Sequence, residues 1–193
     1  IEEVGIPVPF NWGKCKLATV SYGHGITTTI LQLAKAYSVI ANGGYEISPS
    51  LIKKDKQLKR KKILNDKVSK EIVQILRKIV TQKEGTASLA DVDGYEVAGK
   101  TGTAQKSSVG GYSKKKINTF ASIFPASSPK YSLIVMLDEP KTNSEYIYNL
   151  RDGSGIKYKG TPFNTAGWTS VEVTGKILEK IGPILATKYN EIK

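Results

Sequence analysis

The chain has 193 residues, 39% of them hydrophobic and 24% charged, and its 29 Lys and Arg against 17 Asp and Glu give a net charge of +12. That balance excludes an intrinsically disordered chain and leaves room for one domain with a real core, or for a large piece of a bigger one. A single Cys (Cys15) and a single His (His24) exclude an internal disulfide and any multi-histidine metal site, and a Ser-His-Asp triad would have to use His24, which sits between glycines like a loop residue.

The opening Ile1-Glu2-Glu3-Val4 has no Met and no signal-peptide pattern, and it reads as the interior of a longer chain. No apolar run is long enough to cross a bilayer. Residues 5–16 are turn-rich, with Pro7 and Pro9 enforcing extended backbone, and Ser21-Tyr22-Gly23-His24-Gly25 is a further turn. Thr27 to Thr29 offer an N-cap to a helix whose Ile30, Leu33, Ala34, Tyr37 and Ala41 form a core-facing stripe, and Asn42-Gly43-Gly44 ends it.

Tyr45 to Lys53 reads as a short strand, with Lys62-Ile63-Leu64 returning from a lysine-rich tip. That tip, Lys53 to Lys62, lacks interleaved aromatics, a helix-turn-helix or a zinc pattern, so it reads as solvated hairpin rather than as a nucleic-acid site. Asp66 or Ser69 opens a second helix with Val68, Ile72, Ile75, Leu76 and Ile79 on one face, stopped by Gly85. Thr86 to Leu89 predicts a single helical turn.

Asp91-Val92-Asp93-Gly94 then turns the chain into an extended run from Tyr95 that carries Gly99-Lys100-Thr101-Gly102-Thr103. Gln105 to Lys116 is polar and lysine-rich and predicts a mobile loop beside it. Ile117 to Phe124 and Tyr131 to Leu137 predict an antiparallel hairpin, and with the preceding run they give three consecutive strands of one sheet. Residues 141–168 read as a long loop. A last helix from Ser170 is expected to bend or break at Gly182-Pro183. This order predicts an α/β or α+β domain with helices packed on a largely antiparallel sheet.

Lys100-Thr101-Gly102 on a strand is one of the three signatures of the serine acyl-transfer sites of penicillin-binding proteins and serine β-lactamases. Further segments stand in family order around it. They are Ser21 to Gly25 with Leu31 to Tyr37, Ala41 to Gly44, Gly94 to Ala104, Phe124-Pro125-Ala126 before Pro129, Leu137 to Pro140, and Thr165-Ala166-Gly167-Trp168. On these the chain resembles the C-terminal part of the transpeptidase domain of class B penicillin-binding proteins, in particular the septal, division-specific branch of Gram-negative bacteria. The resemblance implies a penicillin-binding transpeptidase fold, with residues 1–193 as its C-terminal portion.

The family's nucleophile lies in Ser-x-x-Lys at a helix N-terminus and is followed by Ser-x-Asn. No Ser-x-Asn occurs here, and Ser50/Lys53, Ser113/Lys116, Ser127/Lys130 and Ser154/Lys157 have the other spacing without opening an amphipathic helix. The chain is thus expected to hold no nucleophile and to be inactive alone. Thr29-Ile30 lacks a proline common in the family, and Lys141 to Phe163 resembles an insertion.

The resemblance implies a D,D-transpeptidase working on peptidoglycan stem peptides and acylated by β-lactams. Lys100 would face the substrate carboxylate, Thr101 and Thr103 would donate hydroxyl hydrogen bonds to it, and the Thr103 N–H would be one arm of an oxyanion hole. Gly102 would leave room for a peptide added along the strand edge. No metal or organic cofactor is implied. The parent is expected to be anchored in the cytoplasmic membrane with its catalytic domain in the periplasm and to meet division-complex proteins. The isolated chain is expected to self-associate through uncovered sheet. An elongation-specific member of the same class and a non-catalytic, basic polymer-binding module are the alternatives.

Overall fold

A computed structural model describes residues 13–23, 26–52, 60–108, 111–160 and 163–189. His24 and most of the lysine-rich tip therefore lie outside the described residues. Helix α1 (Lys16–Ser21), which fills the gap between the turn-rich 5–16 and the turn expected from Ser21, precedes α2 (Ile30–Ala41). The N-cap of α2 is Thr29, which closes a capping box with Gln32: the Gln32 N–H donates to Thr29 Oγ1 at 3.1 Å and the Thr29 N–H to Gln32 Oε1 at 2.9 Å. Of its apolar residues only Val39 is fully buried; Ile30, expected in the core, is exposed.

Among the described residues of 45–64 no strand pair forms. One bridge joins Tyr45 to Lys62, while the N–H groups of Ile63 and Leu64 donate to the Gly44 carbonyl. Helix α3 (Asp66–Thr81) begins after the Asn65 cap and ends before Gly85. Its buried face is Ser69, Val73, Leu76 and Val80, rotated from the expected stripe, so that Val68 and Ile75 are exposed. Val73, Leu76 and Val80 recur at spacings of three and four and make that face the apolar stripe, and the Ser69 hydroxyl on the same face donates to the Ile40 carbonyl of α2.

A 3-10 turn at Ser88–Ala90 leads to the sheet. Strand β1 (Ala98–Ser108) starts later than expected because Glu96 adopts a left-handed φ of 46°, which breaks the extended run. The Glu96 carboxylate, held below its ordinary pKa by the hydrogen bonds it accepts from Ser127, fixes that kink. Strands β2 (Gly111–Phe124) and β3 (Tyr131–Asp138) complete an antiparallel sheet of order β1-β2-β3. In register, Lys100 faces Ala121, Thr101 faces Phe120 and Thr103 faces Asn118.

Of the expected loop over 105–116, residues 105–108 and 111–116 instead continue the β1–β2 ladder, with a register shift between Gln105 and Ser107. The expected 141–168 loop contains a small hairpin, β4 (Ile147–Asn149) with β5 (Lys157–Lys159), and a 3-10 turn at Ala166–Trp168. Helix α4 (Ser170–Tyr189) runs through Pro183 without interruption.

Two cores flank the sheet. On one face Phe120 and Phe124 pack with Val171 and Leu178 of α4 and with Leu89. On the other, Ala98 and Ile123 meet Val73 and Leu76 of α3, with α2 alongside. Burial along β2 records this: every residue from Phe120 to Phe124 is buried, whereas nearer the motif Asn118 is buried and its neighbours Ile117 and Thr119 are only half-buried. The second face is thus covered at one end only.

Candidate active site

Strand alternation sends Thr101 and Thr103 to the α4 face and Lys100 and Gly102 to the other. The Thr101 and Thr86 hydroxyls are hydrogen-bonded at 2.8 Å. The Ala166 N–H donates to Thr103 Oγ1 at 3.0 Å, which occupies one lone pair and leaves the Thr103 hydroxyl proton free to donate elsewhere. Both threonines line a cleft of about 340 Å³ walled by Gly85 and Thr86 on one side and by Thr165, Gly167 and Trp168 on the other.

Close backbone approach builds that cleft. A Cβ on Gly167 would lie 2.7 Å from the Thr86 carbonyl oxygen, so only glycine lets the 165–168 turn meet the 85–90 segment. Trp168 stands edge-on to Tyr148, with ring centroids 5.1 Å apart, and its carbonyl accepts from the Tyr148 hydroxyl at 2.8 Å. Burial pushes Tyr148 up to about 12, with Tyr146 and Glu172 adding to the effect, so the hydroxyl keeps its proton. Arg151, paired with Glu172 at 2.9 Å and donating to the Leu89 carbonyl, ties the 141–163 excursion to α4 and to the cleft wall.

Lys100 is exposed and donates from Nζ to the Thr101 carbonyl at 2.8 Å. Gly102 is open: a Cβ at this position would find its nearest neighbour, the Thr119 carbonyl oxygen, 4.0 Å away. Among the described residues β1 is an edge strand of its sheet, so one side of this segment carries no partner strand there. Among the described residues no group of three or more His, Cys, Asp or Glu is placed to hold a metal ion, and the cleft lining contains no carboxylate.

None of the described Ser-x-x-Lys residues lines this cleft. Ser113 and Lys116 are on β2, where a spacing of three puts them on opposite faces. Ser127 and Lys130 are in the β2–β3 connection, and Ser154 donates to Asp152 at 2.5 Å in the β4–β5 loop. Lys53, the partner of Ser50, is outside the described residues. Sequence reasoning gave no role to Thr86, Asn118, Asn164 or Trp168. Gly167-Trp168 was the available signal, since glycine beside a large aromatic at the end of a long excursion marks a tight docking.

The family model described as "Penicillin binding protein transpeptidase domain" matches residues 1–153. The chain is 31% identical over 200 residues to the probable peptidoglycan D,D-transpeptidase FtsI of Caulobacter vibrioides, covering 97% of this chain and 31% of that protein. The transpeptidase domain of Burkholderia pseudomallei penicillin-binding protein 3 superposes with a TM-score of 0.73 at 27% identity, over 97% of this chain and 53% of the other. Penicillin-binding protein 3 of Mycobacterium tuberculosis, in complex with aztreonam, gives a TM-score of 0.73 at 27% identity, over 96% of this chain and 41% of the other. The chain thus spans roughly a third of the curated relative's length and about half of the solved domain. With the family model matched over residues 1–153 and the fold shared with these solved domains, the chain belongs to the penicillin-binding protein transpeptidase domain family.

Proposed function

We propose that the chain is the C-terminal, Lys-Thr-Gly portion of a peptidoglycan D,D-transpeptidase of the septal, class B branch. The observation that carries this is the pair Thr101 and Thr103, whose hydroxyls enter one cleft from an edge strand beside an exposed Lys100. The names FtsI and penicillin-binding protein 3 among its relatives support the branch. In the reaction, a serine supplied by another part of the longer protein attacks the carbonyl of a stem peptide's D-Ala-D-Ala bond. Its hydroxyl proton passes through a base to the departing D-alanine amine, and an ester acyl-enzyme remains. An acceptor amine then attacks the ester, forms the cross-link amide and returns a proton to the serine.

Within this chain the Thr101 and Thr103 hydroxyls hydrogen-bond the substrate carboxylate from the cleft, the charge-assisted kind being the stronger, and Lys100, rooted on the other face, brings its positive charge to the strand edge where Nζ meets the Thr101 carbonyl. The Thr103 N–H serves the developing oxyanion, and the open surface at Gly102 admits the peptide backbone. β-Lactams react at the same serine. The longer protein is anchored in the cytoplasmic membrane, works on the periplasmic side and meets division-complex proteins; among the described residues no helix is long and apolar enough to cross a membrane.

The test is the acylation rate of the longer protein by a penicillin. Lys100→Ala and Thr103→Val each lower acylation efficiency by about 10- to 100-fold, the range expected for lost charge-assisted contacts. Unchanged rates in both variants would overturn the assignment of this strand.

A further inference from the structure

Asn118 lies on β2 directly opposite Thr103, so the two side chains share the α4 face of the sheet. It is fully buried. Its Nδ2 donates to Asn164 Oδ1 at 2.9 Å and to Thr169 Oγ1 at 2.9 Å. Asn164 in turn donates from Nδ2 to the Pro140 carbonyl, and its own carbonyl accepts from Lys116 Nζ at 3.0 Å. Thr169 Oγ1 donates to the Thr165 carbonyl at 2.8 Å. The 164–169 segment is therefore fastened to the sheet at both ends, and between the fastenings the Ala166 N–H meets Thr103 Oγ1. Asn164 also closes the neck of the 141–163 excursion, since it bonds across to Pro140.

A packing role alone would not call for this arrangement. Asn118 Oδ1 is buried without a hydrogen-bond partner, and an apolar side chain would fill the same place without stranding an acceptor. What the amide supplies, and an apolar residue would not, is a pair of donors that fix where the 165–168 rim stands relative to Thr103.

We propose that Asn118 and Asn164 are positioning residues for the Thr103 hydroxyl. They hold the Ala166 N–H on one lone pair of Thr103 Oγ1, so that the hydroxyl proton is directed at the carboxylate of the incoming peptide or β-lactam. This role rests on the reading of Thr103 as a carboxylate donor in an acyl-transfer site.

The experiment uses the longer protein with benzylpenicillin and its methyl ester, which lacks the carboxylate. The dependence of acylation rate on concentration separates the binding constant from the acylation step. Asn164→Ala and Asn118→Ala are expected to weaken binding of benzylpenicillin roughly ten-fold, the loss of about one hydrogen bond's worth of orientation. With the ester each matches the unsubstituted protein, and Asn164→Ala/Thr103→Val is no worse than Thr103→Val alone. Losses that persist with the ester, or that add to Thr103→Val, mean that the pair only supports the fold and overturn the proposal. So do unchanged kinetics in a protein that is otherwise acylated. Asn164 is only half-buried, so its variant carries the test if the fully buried Asn118→Ala does not fold. An unsubstituted protein that fails to react with benzylpenicillin would instead refute the acyl-transfer reading beneath it.

Discussion

Gly99 and Gly102 share a strand and have opposite reasons for being glycine. A Cβ on Gly99 would lie 2.5 Å from Phe120 Cζ and 2.7 Å from the Ala121 carbonyl oxygen, in a fully packed core. Gly99→Ala is therefore expected to lower stability by about 1–3 kcal/mol, the usual range for overpacking, as measured by urea unfolding. At Gly102 the space is empty out to 4.0 Å, so Gly102→Ala should leave stability within about 0.5 kcal/mol of the original. In the longer protein it should still slow acylation, because the methyl group stands where the peptide backbone is proposed to approach. Equal destabilisation by the two substitutions would contradict this division. Only one of these roles was legible in the sequence: the motif marks Gly102, whereas the tight fit of Gly99 depends on Phe120 arriving from another strand. Thr86 and Asn118 escaped notice for the same reason, their partners being distant in the chain.

Among the elements, those built on local signals were the most legible. The Thr29 cap and the Asp66 helix start are written in a few adjacent residues. The β1–β2 extension over 105–108 and 111–116 reads as a loop in the sequence because it lies where neither face has a core to impose apolar alternation. Charge pairing across strands secures it instead: Lys106 reaches Asp138 at 2.6 Å and Glu139 at 2.8 Å, and Lys115 reaches Glu139 at 3.1 Å. Hydrogen bonds from Lys106 and then Lys115 hold Glu139 below its ordinary pKa, and bonds to Asp138 and then Glu139 raise Lys106. The depressed Glu139 contributes stability that is present above the ordinary carboxylate pKa and is lost as pH falls through its lowered value. The raised Lys106 contributes below the ordinary lysine pKa and loses its share only as pH climbs through its raised value. Amide protection over 105–116, corrected for intrinsic exchange, should therefore drop below about pH 4. Glu139→Gln should show the reduced protection already at neutral pH; protection indifferent to both would sink the brace. The 141–163 excursion did carry a sequence signal, the alternation Tyr146, Tyr148, Leu150, but its anchor Arg151 gave none. Arg151→Ala takes the partner from Glu172 Oε2 and leaves this buried carboxylate, 4% exposed, with Lys176 at 3.6 Å and the Tyr146 hydroxyl, and is expected to destabilise the chain by about 1–3 kcal/mol in urea.

At the scale of the whole molecule, the sheet is covered on its α4 face and open on part of the other. Toward the motif end Gly102, Ala104 and Met136 are exposed, with Met136 at 42%. The sequence predicted helices on a sheet but could not say which end they leave bare, because that depends on where α2 and α3 come to rest. Residues 1–193 made alone are expected to self-associate through this surface and to bind a hydrophobic dye. Sedimentation showing a monodisperse monomer without dye binding would contradict that. The central claim, that this chain contributes one side of an acyl-transfer site and not its nucleophile, is tested most directly by intact-mass spectrometry after exposure to a labelled penicillin. The longer protein should gain the mass of one acyl group while residues 1–193 alone gain none. A stoichiometric adduct on residues 1–193 would mean that one of their own serines is the nucleophile, and would contradict the account.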